Sequence, residues 1–212
     1  MYYTLRVLCF AILGAVIGPG CDSDGTLPSS KSLTSFSFAS PAATGTINGS
    51  AMTIAVTVPN KTDVTALVAT FTTTGASVSV GATAQVSGTT ANDFTTPVVY
   101  TITAADGSTV AYTVTVTIAA SAAKAITAFS FDSLGASGAI DEDGKTIAVT
   151  VPNGTDVTAL IASFTTTGAS VDAGGTAQVS GTTANDFTSP VVYTVTAADG
   201  STIAYTVTVT SL

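Results

Sequence analysis

Apolar residues alternate with threonine or serine along most of the chain. The alternation is clearest in 54–58 and 114–117, and a similar pattern covers 33–38. Because side chains of a β-strand point alternately to opposite faces, this pattern predicts strands with one buried and one solvated face. No window shows the 3.6-residue repeat of a sustained helix. The segment 66–69 could form a helical turn, but the β-branched residues that flank it favour a strand.

Turn-forming residues separate the alternating segments. Examples are Asn48-Gly49, Pro59-Asn60, Ser87-Gly88, Asn92-Asp93 and Asp106-Gly107. The spacing predicts about seven short strands in each stretch of about 90 residues, a spacing typical of a β-sandwich.

The second half of the chain repeats the first. Residues 31–119 align without gaps on residues 124–212, and roughly 65 of the 89 positions are identical. A repeat of this length is a whole small domain. We therefore predict a signal peptide at 1–20, a tether at 21–30, domains at 31–119 and 124–212, and a linker at 120–123.

Two stretches of the repeat carry a resemblance to a known family. The residues Pro59-Asn60-Lys61-Thr62-Asp63-Val64-Thr65 and the hairpin 100–116 resemble the immunoglobulin-like or cadherin-like repeats of bacterial surface lipoproteins. The resemblance implies an all-β chain of two tandem immunoglobulin-like antiparallel β-sandwich domains after an N-terminal signal segment, in an extracellular setting. It implies no catalytic residues.

The last hairpin of the repeat allows a prediction of strand register. A two-residue turn at Asp106-Gly107 would place Tyr100 and Tyr112 on opposite faces of the sheet, because the strand period is two. A three-residue loop, 105–107, places them opposite each other on the core face, with glycine in the left-handed position. The second repeat should likewise pair Tyr193 with Tyr205.

Composition and charge exclude several functions. Charged residues make up 8% of the chain, the formal net charge is −8, and there are five basic residues. Nucleic acids and anionic membrane surfaces require a basic surface, so both are disfavoured. The chain has no histidine, which removes the commonest general base and metal ligand. We expect no catalytic residues, no enzymatic activity and no cofactor.

The first twenty residues are typical of a secretory signal. Arg6 precedes an apolar run, 7–17, which is shorter than the roughly 20 residues of a membrane span. Small residues before Cys21 resemble a bacterial lipoprotein processing site, which implies a lipid on Cys21. The alternative is ordinary cleavage near Gly20 with an unmodified cysteine. We expect an exported protein of the bacterial cell envelope or surface that meets the membrane only through its lipid anchor.

The acidic segment 141–144 could bind calcium through Asp141 and Asp143, with Asp132 or Asp172 nearby. A hairpin turn around Asp143-Gly144 explains the same residues, and no metal site is predicted.

Other polar and aromatic residues also have two interpretations. Paired carboxylates could serve a glycosidase, but each aspartate lies in a turn, where it caps backbone N–H groups. These are Asp63, Asp93 and Asp106, repeated as Asp156, Asp186 and Asp199. The four hairpin tyrosines could stack on sugars, but their phase with valine and isoleucine favours the core.

Two functions remain from different classes. The first is a non-enzymatic surface protein that serves as a structural stalk or as an adhesive or assembly module. The alternative is a carbohydrate-binding surface protein. The partner would be an extracellular protein or a glycan. The candidate ligand contacts are in one loop of each repeat: Asn92, Asp93, Phe94, Asn185, Asp186 and Phe187.

Overall fold

The alternating segments form strands throughout residues 26–212, the part of the chain that the computed structural model describes. The predicted signal peptide and Cys21 lie outside the described residues. The chain separates into two units between Ala119 and Ala120. Within residues 26–212 the only helical element is one 3-10 turn, Asp132–Leu134. The predicted all-β fold of two tandem β-sandwich domains is confirmed.

Domain 1 contains ten strands in two sheets, with orders β2-β1-β5-β8 and β3-β4-β10-β9-β6-β7. The strands are β1 Leu33–Ala39, β2 Ala42–Thr44, β3 Thr46–Asn48, β4 Thr53–Val58, β5 Leu67–Thr73, β6 Ser77–Val80, β7 Thr83–Ala84, β8 Ala91–Asn92, β9 Val98–Thr103 and β10 Thr109–Ile118.

Domain 2 also contains ten strands, but its sheets are connected differently. Its strands are β11 Ile126–Phe131, β12 Ala136–Asp141, β13 Thr146–Val151, β14 Leu160–Ile161, β15 Ser163–Thr166, β16 Ser170–Ala173, β17 Thr176–Ala177, β18 Ala184–Asn185, β19 Val191–Thr196 and β20 Thr202–Ser211. The long β12 pairs with both β11 and β13, so its sheet reads β15-β11-β12-β13-β20-β19-β16-β17, beside the small pair β14-β18.

The sheets are not purely antiparallel, and this corrects the prediction. Strand β4 pairs in parallel with β10, and β13 pairs in parallel with β20. Alternation along one strand is the same in either orientation, because it reports only which face is buried. The strand number also exceeds about seven, since several pairings involve only two or three residues.

The core of each domain is built on a cluster of aromatic rings. Tyr100 and Tyr193 are fully buried, and the ring of each packs edge-on against a phenylalanine ring of the first strand of its domain. The ring centroids of Phe36 and Tyr100 are 5.4 Å apart, as are those of Phe129 and Tyr193. Edge-to-face packing of this kind is favoured by the charge distribution of the rings. The assignment of the hairpin tyrosines to the core is therefore confirmed.

The last hairpin has the predicted register. Tyr100 pairs with Tyr112 and Tyr193 pairs with Tyr205. Gly107 has a φ of 84° and donates its N–H to the carbonyl of Ala104 at 3.0 Å. This is the three-residue loop with a left-handed glycine that the alternation requires.

Candidate functional site

The predicted contact residues Asn92 and Phe94 serve the interior of domain 1. The Nδ2 atom of Asn92 donates to Oε1 of Gln85 at 2.7 Å and to the Tyr100 hydroxyl at 3.0 Å. Burial raises the pKa of Tyr100 to about 12, although the hydrogen bond from Asn92 opposes this shift. The ring of Phe94 is 2% exposed. A ring buried to this extent offers no face to a sugar.

Domain 2 repeats this network atom for atom. Asn185 donates to Gln178 at 2.7 Å and to the Tyr193 hydroxyl at 3.0 Å, while Phe187 is buried. The two phenylalanine rings are therefore part of the core, and a ligand contact by these two loops stays a prediction. The rings pack against the core because the loop is pinned beneath them: the N–H of Phe187 donates to the carbonyl of Val157 at 2.8 Å.

Asp93 and its counterpart Asp186 remain exposed at the surface. The N–H of Thr95 donates to Oδ1 of Asp93 at 2.9 Å, and this bond lowers the pKa of the carboxyl group. Asp63 accepts both the hydroxyl and the N–H of Thr65 in the same way, and its pKa is lowered too. The predicted turn-capping role of these aspartates is confirmed.

The acidic segment 141–144 forms the predicted hairpin turn. Oδ1 of Asp141 accepts the N–H groups of Asp143 and Gly144, both at 3.0 Å. Across the described residues, 26–212, no three or more of the Asp, Glu, His and Cys side chains are grouped so that they could hold a metal ion.

Glu142 in this turn makes contacts that domain 1 cannot make. Its carboxylate accepts the Lys145 ammonium at 2.9 Å and the Tyr205 hydroxyl at 2.8 Å. These two hydrogen bonds, with that from Lys145 the larger effect, lower the pKa of Glu142. The Lys145 nitrogen also lies 5.6 Å from the centroid of the Tyr205 ring. The corresponding residues of domain 1 are Gly49 and Met52.

An open groove of about 390 Å³ lies beside the 3-10 turn of domain 2. Asp132 at its edge accepts the hydroxyl of Ser130 at 2.6 Å and that of Ser163 at 2.5 Å. These two bonds, the one from Ser130 first, lower the pKa of Asp132. The lining consists of one carboxylate, two serines, glycine and three aliphatic side chains: Asp132, Ser133, Ala159, Leu160, Ile161, Ser163 and Gly181.

From the sequence, Asp132 is only a possible calcium ligand, and this groove is not predicted. The available signal was the difference between the repeats, since domain 1 has Ala39 at the matching position. A groove of about 370 Å³ in domain 1 lies elsewhere, and its lining carries no charge: Thr34, Ser35, Phe36, Ser37, Thr44, Gly45 and Ile47.

The exposed large hydrophobic side chains of residues 26–212 are all aliphatic or methionine. They are Leu27, Met52, Val86, Val99, Ile118, Ile161, Val179, Val192 and Leu212. Val99 and Val192 occupy matching positions on the outer face of β9 and β19, among threonines. Within the described part of the chain, therefore, no tyrosine or phenylalanine is among the exposed residues that a sugar could stack upon.

A comparison with solved structures finds a protein from Bacteroides thetaiotaomicron whose title is "putative glycoside hydrolase". The two chains are 25% identical, with a TM-score of 0.37, over 60% of this chain and 36% of that one. The match thus spans about a third of the length of that protein. No curated protein matches the chain.

Residues 26–212 contain no helix that is long and apolar enough to cross a membrane.

A family model matches both repeats separately. It is described as "SGBP, N-terminal", the N-terminal domain of surface glycan-binding proteins, and it covers residues 33–116 and 126–209. The two matched segments take up most of the chain and coincide with the two β-sandwich domains. The chain therefore belongs to the family of N-terminal domains of surface glycan-binding proteins, which it contains in two tandem copies.

Proposed function

We propose that the chain is a non-enzymatic, exported surface protein that binds carbohydrate. The observation that carries this proposal is the family match of both domains. The sequence alone favours a structural or adhesive role first and carbohydrate binding second. The family supports the second role better than the first.

The chemistry of the described surface suits a neutral glycan. Outward positions of the strands are rich in threonine and serine, whose hydroxyl groups both donate and accept hydrogen bonds. The net charge of −8 disfavours acidic polysaccharides. An extracellular glycan is reached only after export, which agrees with the predicted signal peptide and lipid attachment at Cys21.

The carboxylates of the two domains support binding rather than hydrolysis. A glycosidase requires a carboxylic acid whose pKa is raised, so that it is protonated at neutral pH. The aspartates in the turns have lowered pKa values, because hydroxyl and N–H groups donate to them. Lack of histidine removes an alternative proton donor.

The second candidate is a structural stalk, in which two immunoglobulin-like domains act as spacers at the cell surface. The specific observation that favours it is the burial of the tyrosine and phenylalanine rings described above. Exposed aromatic rings commonly provide stacking surfaces for ligands. Under this candidate the chain would position a separate glycan-binding partner.

A binding titration distinguishes the two candidate functions. The whole chain is solubilised from the membrane fraction and titrated with a panel of neutral and acidic polysaccharides. We expect saturable binding to a neutral glycan and no release of reducing sugar. Absence of binding to every glycan would favour the stalk, and turnover would contradict a non-enzymatic role.

Mass spectrometry of the same preparation tests the anchor. We expect a mature N-terminus at Cys21 that carries acyl chains. A different N-terminus, or an unmodified Cys21 thiol, would contradict lipid attachment.

A further inference from the structure

One difference between the repeats places a carboxylate next to a pair of hydroxyl groups. In domain 2, Ser130 and Ser163 are register partners on β11 and β15. Domain 1 has a corresponding pair, Ser37 and Thr70. Asp132 stands beside the serine pair of domain 2, whereas Ala39 occupies that position in domain 1. Domain 1 thus has the hydroxyl pair without the carboxylate, and its Ala39 ends a strand where Asp132 begins the 3-10 turn.

The Asp132 carboxylate is held in one orientation. One oxygen accepts Ser130 and the other accepts Ser163, at 2.6 and 2.5 Å. The backbone is fixed as well, because Gly135 adopts a φ of 62° and donates its N–H to the carbonyl of Asp132 at 3.2 Å. An ionised carboxylate has about four acceptor positions. Two of them are therefore left for a ligand, already oriented before it binds.

An aliphatic surface lies next to these acceptor positions. Ile161 is 44% exposed and lines the groove with Ala159 and Leu160. Gly181, with a φ of 71°, contributes no side chain, so the groove stays open on that side. The volume of about 390 Å³ lies at the lower end of the range for small-molecule sites.

We propose that this groove binds one or two units of a neutral saccharide. Asp132 accepts hydrogen bonds from two neighbouring sugar hydroxyls, and Ile161 packs against the C–H face of the ring. A sugar combines these two surfaces, and the negative charge of Asp132 disfavours uronic acids. The proposal deepens the proposed function and rests on it, because it assigns the glycan to one groove of domain 2.

Isothermal titration of the whole chain provides the test. The probes are cellohexaose, maltoheptaose and mannohexaose, with an oligogalacturonate as the acidic comparison. We expect at least one neutral probe to bind. Asp132→Ala, which restores the residue type of domain 1, should weaken that binding about tenfold or more, since a hydrogen bond to a charged group is worth roughly 1.5–3 kcal/mol. Ile161→Ser should also weaken it.

Asp63→Asn is the matched control, because it neutralises an exposed aspartate of domain 1 and should leave affinity unchanged. Thermal melts show whether each variant is folded. If the Asp132→Ala variant is not folded, the affinity of the Ile161→Ser variant provides the test, since that substitution alters only an exposed side chain.

The possible failures are distinguishable. If the wild-type chain binds a probe and neither substitution weakens that binding, this groove is not the binding site, but the proposed function stands. Absence of binding to every probe would overturn both. Preferential binding of the oligogalacturonate would overturn the neutral ligand class.

Discussion

The two domains have closely similar interiors, each with its own core, and they differ along one edge. Tyr100 and Tyr193 are buried in the same aromatic surroundings, and each hydroxyl accepts from an asparagine that also donates to a glutamine. Most positions at which one repeat has a charged residue and the other an uncharged one lie in residues 39–52 and their counterparts 132–145. The carboxylates along this edge of domain 2 thus lie at exposed positions, outside the aromatic core that is the same in both domains. This is the expected result when interiors are close-packed and surfaces are not.

Along this edge, both domains nevertheless have a glycine at the point where the backbone passes closest to the core. A Cβ atom at Gly45 would lie 2.9 Å from Cγ2 of Ile54, and one at Gly138 would lie 2.8 Å from Cγ2 of Ile147. Both glycines allow the backbone to pass close over the core between its pairings with β1 and β4 in domain 1 and with β11 and β13 in domain 2. In domain 1 this passage separates β2 from β3, whereas β12 of domain 2 is continuous.

The largest expected effect tests whether the two interiors are independent. Phe36→Ala and Phe129→Ala each remove a fully packed ring, which costs roughly 3–5 kcal/mol. Calorimetry of the whole chain should show that each substitution lowers the transition of its own domain and leaves the other unchanged. If either substitution shifts both transitions together, the domains share one core.

The next effect tests the shared polar network. Asn92→Ala or Asn185→Ala leaves a tyrosine hydroxyl and a glutamine carbonyl without their donor. The cost in free energy of unfolding should be about 1–3 kcal/mol and similar in both domains. Chemical denaturation measures it. Combining Asn92→Ala with Tyr100→Phe should cost less than the sum of the single changes, and strict additivity would contradict the coupling.

A smaller effect tests the shared hairpin. Gly107→Ala and Gly200→Ala place a Cβ atom at a φ of 84° in each domain, with no neighbouring atom within 4 Å. The left-handed conformation alone should therefore cost about 1–2 kcal/mol. Gly49→Ala is the control, because it has equal space without positive φ and should have almost no effect. Equal destabilisation by all three substitutions would show that conformation is not the cause.

The smallest effect is a pH dependence of stability that should differ between the two domains. Glu142 and Asp132 have lowered pKa values and no counterpart in domain 1. A lowered pKa means that the folded state favours the charged form. Their contribution is therefore present above pH 4.5, the ordinary value for glutamate, and is lost as the pH falls through the folded pKa.

Domain 2 should consequently lose more stability than domain 1 between pH 6 and about pH 3. The measurement is the difference between the two melting temperatures as a function of pH. Replacing Glu142 with glutamine should reduce this difference, by less than the effect of Gly200→Ala. If the difference does not change with pH, the contacts of Glu142 and Asp132 do not stabilise domain 2.

Sequence reasoning succeeded where the information was local. The position of Gly107 and the phase of Tyr100 and Tyr112 determine one hairpin register, and the structure confirms it. The same reasoning did not predict the burial of Phe94, because the ring follows a polar Asn-Asp pair. The backbone bond to Val64, 30 residues earlier in the chain, turns that ring into the core.

The groove of domain 2 was missed for a related reason. Ser130 lies two positions from Asp132, but Ser163 lies 31 positions away, and only strand pairing brings its hydroxyl to the Asp132 carboxylate. The predicted boundaries of the signal peptide, tether and linker stay predictions.

By itself, the sequence determined the all-β class, the duplication and the face that each strand buries, because alternation and turns are local properties of the chain. The tertiary structure decided the parallel pairing of β4 with β10, the burial of Phe94 and the contact of Asp132 with Ser163. Each of these depends on contacts between segments distant in sequence. Local patterns do not specify such contacts, since the same alternating strand can pair with different neighbours in either direction.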